Sequence, residues 1–176
     1  MKAFLYRRAK FIVLSGLLIL SINVSAQKEK LQTAFIYQLT RLIEWCPEGK
    51  EGNFVIGVLG NEPTLMAELT ALTVRRVGNQ QIEIKSFAGI SNIEPVNIIF
   101  VSNAHFDDIK EVSTKVGNHC TLIVSERTGG ANRGAGVSII YNEKLAKLEL
   151  EINKGYMKRN SLNVNDQLYS VASTVY

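Results

Sequence analysis

Apolar residues recur along this chain with two periods, and the period alternates in a regular order. Leu31, Phe35, Leu39, Leu42, Ile43 and Cys46 fall within an arc of about 120° at 100° per residue, which predicts a helix with one buried face. Tyr37 and Arg41 point away from that face, and Trp45 lies at its rim. Pro47 and Gly49 end the helix. Phe54-Val55-Ile56-Gly57-Val58-Leu59 is then a nearly continuous apolar run of strand length. Gly60 follows it, with Asn61 placed to cap and Pro63 to open a helix whose inner stripe is Leu65, Leu69 and Leu72.

The middle of the chain repeats this order. Gly78-Asn79 is a turn signal before a short strand with Ile82, Ile84 and Phe87, and Val96 to Val101 is another buried strand. Asn103 is placed to cap a helix carrying Phe106, Ile109, Val112 and Val116 inward, Gly117 stops it, and Thr121 to Val124 returns as a strand. Apolar strands alternating with amphipathic helices predict an α/β fold, a Rossmann-like three-layer sandwich with a mostly parallel sheet covered on both faces. The last third differs. Val137 to Tyr141 and Leu148 to Ile152 flank a turn at Asn142-Glu143-Lys144, an expected antiparallel hairpin. A short helix near Lys154 to Arg159 comes next. A terminal helix from about Val164 is then expected to bury Val164, Leu168, Val171, Ala172 and Val175, with Asn163 and Asp166 as a capping pair. No linker or repeat interrupts residues 27–176, which read as one domain.

Charge changes the picture at the amino end only. The chain has 176 residues with 20 Lys+Arg and 16 Asp+Glu, a net +4, but Lys2, Arg7, Arg8 and Lys10 fall in the first 26 residues, which hold no acid. The other 150 residues therefore carry 16 of each sign. A neutral body lacks the footprint of a nucleic-acid binder and offers an anionic leaflet no polybasic surface. The basic start leads into the apolar run Phe11 to Val24 and then Val24-Ser25-Ala26, which reads as a secretory signal peptide over 1–26 cleaved after Ala26. That run is shorter than the roughly 20 residues that span a bilayer. An exported product in an oxidising compartment permits Cys46 and Cys120 to pair, the alternative being two buried structural thiols.

Catalytic chemistry is sparse. The stretch Gly129 to Gly136 lacks Gly-Lys-Ser/Thr and leads into a strand, so it reads as a flexible surface loop and not a phosphate cradle. His105 and His119 lack the spacing of a zinc site, and no Gly-x-Ser-x-Gly elbow is present. The strand ends Gly60-Asn61 and Ser102-Asn103 lack the carboxylates of a phosphoacceptor. Together with Ser125, Glu126 and Arg127 they make a polar rim at the carboxyl edge, where an open α/β sheet binds small ligands; equally, these residues cap helices and turn the chain. No enzyme reaction, metal or cofactor is expected.

Several segments carry a family resemblance. Ala34-Phe35-Ile36-Tyr37 through Ile43-Glu44-Trp45, followed by Phe54 to Gly60, resembles the opening of the YfiR family of periplasmic regulators, an aromatic-rich helix ending in Trp-Pro before an F-x-I-x-V-x-G strand. The far end is similar too: Leu122-Ile123-Val124-Ser125-Glu126, Gly136-Val137-Ser138-Ile139, Leu148 to Asn153, Leu162-Asn163-Val164 and Gln167-Leu168. Departures are Cys46 between Trp45 and Pro47, Ser161 in place of a glycine, and Asn165-Asp166 where the family is serine-rich. Only two cysteines are present, so the family's multiple disulfides do not carry over. The resemblance implies a non-enzymatic domain, often a homodimer, that binds the periplasmic part of an inner-membrane signalling protein and represses its output, in the name-giving case a diguanylate cyclase and cyclic di-GMP. Tyr37, Arg41 and Trp45 are the expected partner-binding residues, as aromatic and Arg side chains off the buried face. The alternative for Trp45 is packing under the next loop. A second expectation is a periplasmic small-ligand binder using the strand-end crevice.

Overall fold

The computed structural model describes residues 27–176; the expected signal peptide and its cleavage point lie outside the described residues. Helix α1 covers 27–42 and gives way to a short strand β1 (Ile43–Glu44). Then come β2 (Phe54–Leu59), α2 (Pro63–Thr70), β3 (Arg76–Val77), β4 (Gln80–Phe87), β5 (Ile98–Val101), α3 (Ile109–Val116), β6 (Leu122–Ser125), α4 (Gly130–Arg133), β7 (Val137–Asn142), β8 (Lys147–Ile152), α5 (Lys154–Arg159), β9 (Asn163–Val164), α6 (Asp166–Ser170) and β10 (Thr174–Val175).

Eight strands form one sheet in the order β10-β8-β7-β6-β5-β2-β4-β3. Its centre, β4-β2-β5-β6-β7, is parallel, as the apolar strand runs predict, and β7 and β8 form the expected antiparallel hairpin. The expected flat sandwich is not found: the sheet curls through 215° into an open half-barrel. Strand twist accumulates across a sheet, and at this strand number a sheet tends to curl. Apolar runs report that strands are buried on both faces, but not how far the sheet bends.

Each end of the chain also departs from its pattern. Helix α1 stops at residue 42, before the expected Cys46, because Ile43 and Glu44 pair with Val164 and Asn163 of β9 and Asn165 donates its backbone N–H to the Leu42 carbonyl. Its buried face is rotated from the expected one. Gln32, Thr33, Ile36, Leu39 and Thr40 are buried, whereas Leu31, Phe35 and Leu42 are half-buried. The expected terminal helix is only the five residues of α6, capped by the Asn165 side chain rather than by Asn163. Beyond it, the chain finds backbone partners on the free edge of β8: Ser173 donates to the Leu150 carbonyl and Tyr176 to the Ile152 carbonyl. Val171 is consequently exposed rather than buried.

The glycine-rich stretch is packed, not a flexible loop. Gly130 and Ala131 are buried in α4, and a Cβ on Gly130 would come within 2.5 Å of the Ser125 side chain. Glycine is required here by close approach to the sheet.

Candidate functional site

The loop between β1 and β2 is fixed from inside. Asn97 accepts the Val55 backbone N–H at 2.8 Å and donates to the Gly49 carbonyl at 2.7 Å, and the Gln80 amide donates to the carbonyls of Gly49, Glu51 and Gly52. A buried amide with its hydrogen bonds made holds backbone in one arrangement. Against this loop Cys46 and Cys120 form a disulfide, with Cα atoms 6.0 Å apart, within the usual range. Trp45 is 5% exposed, stacks edge-on against Phe54 with centroids 4.9 Å apart, and donates its indole N–H to the Thr40 carbonyl. Trp45 thus packs inward and presents no surface to a partner. A cavity of about 630 Å³ opens beside the disulfide at the amino ends of the strands, with Glu48, Glu94, Lys115 and His119 among its walls.

The carboxyl ends hold the expected crevice residues, and Glu126 there is engaged by the protein's own groups. Glu126 accepts the backbone N–H of Asn103 at 2.6 Å, the Gln32 amide at 3.3 Å and the Lys28 ammonium at 2.5 Å. Burial alone would raise the Glu126 carboxyl. The hydrogen bonds from Lys28, Asn103 and Gln32, with the Lys28 charge, outweigh that and hold it below the ordinary carboxylate range. Gln32 and Lys28 come from α1, which explains the rotation of its buried face: the helix lies over a polar strand end, so polar positions turn inward with Ile36 and Leu39. Apolar periodicity alone misses this, because it scores Gln32 and Thr40 as outward.

The remaining crevice residues divide. Gly60 has φ +95°, and a Cβ there would lie 2.8 Å from the His105 ring. Ser102 is 1% exposed, and its Oγ has no hydrogen-bond partner among the described residues. Ser125 is buried under Gly130 and accepts the Arg127 backbone N–H. The Arg127 guanidinium turns away to lie 4.5 Å from the Phe106 ring centroid, and Asn61 is exposed. Neither expected cap acts through its side chain: α2 has Glu62 at its N-cap with Pro63 behind it, and Asn103 contributes its backbone N–H to Glu126. His105 Nδ1 lies 2.8 Å from Asp108 Oδ2, and Ser102 is three residues upstream. That sequence of serine, histidine and aspartate is not a triad, because the hydroxyl makes no bond to the imidazole that would activate it. Among the described residues no group of three or more His, Cys, Asp or Glu could hold a metal ion, and no helix is long and apolar enough to cross a membrane.

The outward side of α1 carries the other expected residues. Tyr37 is half-buried and Arg41 exposed, one turn apart. Arg75, which no periodicity along the chain singles out, lies 5.1 Å over the Tyr37 ring. Its signal was weak: Val74-Arg75-Arg76-Val77 precedes a turn and reads as ordinary solvated chain.

Solved structures that share the fold include two bacterial proteins. One is a conserved domain protein from Vibrio cholerae O1 biovar El Tor, with TM-score 0.60 and 12% identity over 84% of this chain and 60% of that one. The other is the ABC domain, in complex with L-Trp, from Streptococcus pneumonia, with TM-score 0.51 and 12% identity over 69% and 55%. The chain thus spans about three fifths of the first structure's length. Among curated proteins none matches. Residues 29–173 match the YfiR/HmsC-like family, and over that span, nearly all of the described residues, this chain belongs to it.

Proposed function

We propose that this protein acts in the periplasm, after removal of residues 1–26, by binding the periplasmic part of an inner-membrane signalling protein and repressing its output. Members of the YfiR/HmsC-like family are non-catalytic periplasmic regulators, and this chain is not an enzyme. The partner is a diguanylate cyclase or a sensor kinase, with cyclic di-GMP as the output in the first case, and the working form is a homodimer. One observation carries the reading to a surface: on α1, whose inner side is committed to the core and to Glu126, Tyr37 and Arg41 face outward, and Arg75 joins them by stacking on Tyr37. Aromatic and Arg side chains are the residue types that dominate binding energy at interfaces. Deleting the gene should raise cellular cyclic di-GMP or kinase output, and the wild-type chain should restore the low level. An output unchanged by deletion counts against repression.

A second reading is a small-ligand binder at the carboxyl edge. The buried Ser102 hydroxyl without a partner favours it, because such a group costs stability unless a ligand or water satisfies it. A ligand that binds only the native state raises the melting temperature, by RT ln(1 + [L]/Kd) in free energy. A metabolite panel that leaves the melting temperature unmoved argues against this reading.

A further inference from the structure

The chemistry of the partner surface is written in the charges around Tyr37. Val74 is the most exposed large hydrophobic residue described, at 88%, and it adjoins Arg75, whose guanidinium lies over the Tyr37 ring. This contact brings the turn before β3 against α1, with Val74 next to Arg75 in the chain and Arg41 one helical turn from Tyr37. Some cations elsewhere have carboxylate partners, Lys28 with Glu126, Lys85 with Glu94 and Glu83, and Arg133 with Asp107, and others, Lys154 and Lys158 among them, have none among the described residues. Arg41 and Arg75 have no carboxylate partner among the described residues, and Arg76 donates only to the neutral Asn79 carbonyl. Arg41, Arg75 and Arg76 thus bring three guanidinium groups to the neighbourhood of the Tyr37 ring and the exposed Val74 side chain.

We infer that the occupant of this surface is an acidic segment of the partner protein, its Asp or Glu carboxylates meeting Arg41 and Arg75 and an apolar residue covering Val74. Guanidinium matches carboxylate in paired, planar hydrogen bonds, and the stacked Arg75 is already held in place, so less freedom is lost on binding. An anionic lipid surface fits less well. It is held by clusters of roughly four to eight Lys or Arg, and this surface has three arginines and no lysine.

The inference rests on the partner reading, and the test separates the two. A photo-crosslinking residue is placed at Val74 in cells, with a control at Leu145, which is also exposed but lies on the β7–β8 turn. The crosslinked peptides are then sequenced. The expected result is an adduct from Val74 with one membrane protein, on a segment rich in Asp and Glu, reduced roughly tenfold by Arg75→Glu and retained by Arg75→Lys. Adducts on a neutral or basic segment, or from Leu145 alone, would overturn the acidic-segment proposal and leave the partner reading standing. Co-sedimentation with phosphatidylglycerol vesicles that Arg75→Glu abolishes would overturn it in favour of lipid. No protein adduct from either position would overturn both.

Discussion

Strand β6 is clamped to the α1 segment at both of its ends, and the two clamps differ in kind. Two residues before the strand, Cys120 holds Cys46 through a covalent bond; directly after it, Glu126 holds Lys28 and Gln32 through charge and hydrogen bonds. The covalent end sits beside an open cavity, and the ionic end engages Glu126 among the polar strand ends. A disulfide constrains position without filling space, whereas a long Lys or Gln side chain that satisfies a buried carboxylate must occupy the space around it. The difference locates the adaptable end of α1 at its start and the fixed end near Trp45.

The largest effect should come from breaking the covalent clamp. Cys120→Ser, or reduction, releases a loop with a sequence separation of 74 and should cost about 4 kcal/mol on the chain-entropy account. Denaturant unfolding with and without reductant measures it; an unchanged midpoint would show that β1, β9 and Trp45 hold the segment alone. Trp45→Ala comes next at about 3 kcal/mol, since it removes a buried ring from Phe54 and leaves the Thr40 carbonyl without its donor.

The ionic clamp should give a smaller and pH-dependent effect. The folded-state value of Glu126 lies below that of the unfolded chain, so its contribution is present above the ordinary glutamate value and lost as pH falls through the depressed one. Stability should therefore decline below about pH 4.5. Glu126→Gln should cost about 1–2 kcal/mol at neutral pH and flatten that part of the profile. Equal acid sensitivity in the wild type and Glu126→Gln would remove the ionic clamp from the account.

How legible these regions were follows from what each residue contacts. The parallel strands could be read because Phe54 to Leu59, Ile98 to Val101 and Leu122 to Val124 are apolar on both sides, and the hairpin because polar residues interrupt two such runs. The curl was not legible, since bending leaves burial unchanged. Neither was the rotation of α1: Gln32 is buried only because Glu126, 94 positions away, receives it. Within the candidate site, the outward position of Tyr37 and Arg41 follows from their angle on the helix. Arg75 was missed because its partner is a ring on another element, and Trp45, read at the rim of the helix with packing under the next loop as the alternative, lies beyond the helix end, where helical spacing no longer applies.

The smallest effect on stability should come from the outward face between the clamps. Arg41→Ala and Arg75→Glu should each shift unfolding by no more than about 0.5 kcal/mol, as exposed side chains without ion-pair partners among the described residues. These same variants test the central claim, that this face binds a membrane signalling protein. The direct measurement is affinity capture of that partner from detergent-solubilised membranes by the wild-type chain and by Tyr37→Ala, Arg41→Ala and Arg75→Glu, each with its melting temperature. The account predicts capture by the wild type and its loss in the variants without a matching loss of stability. Undiminished capture by all three would contradict it.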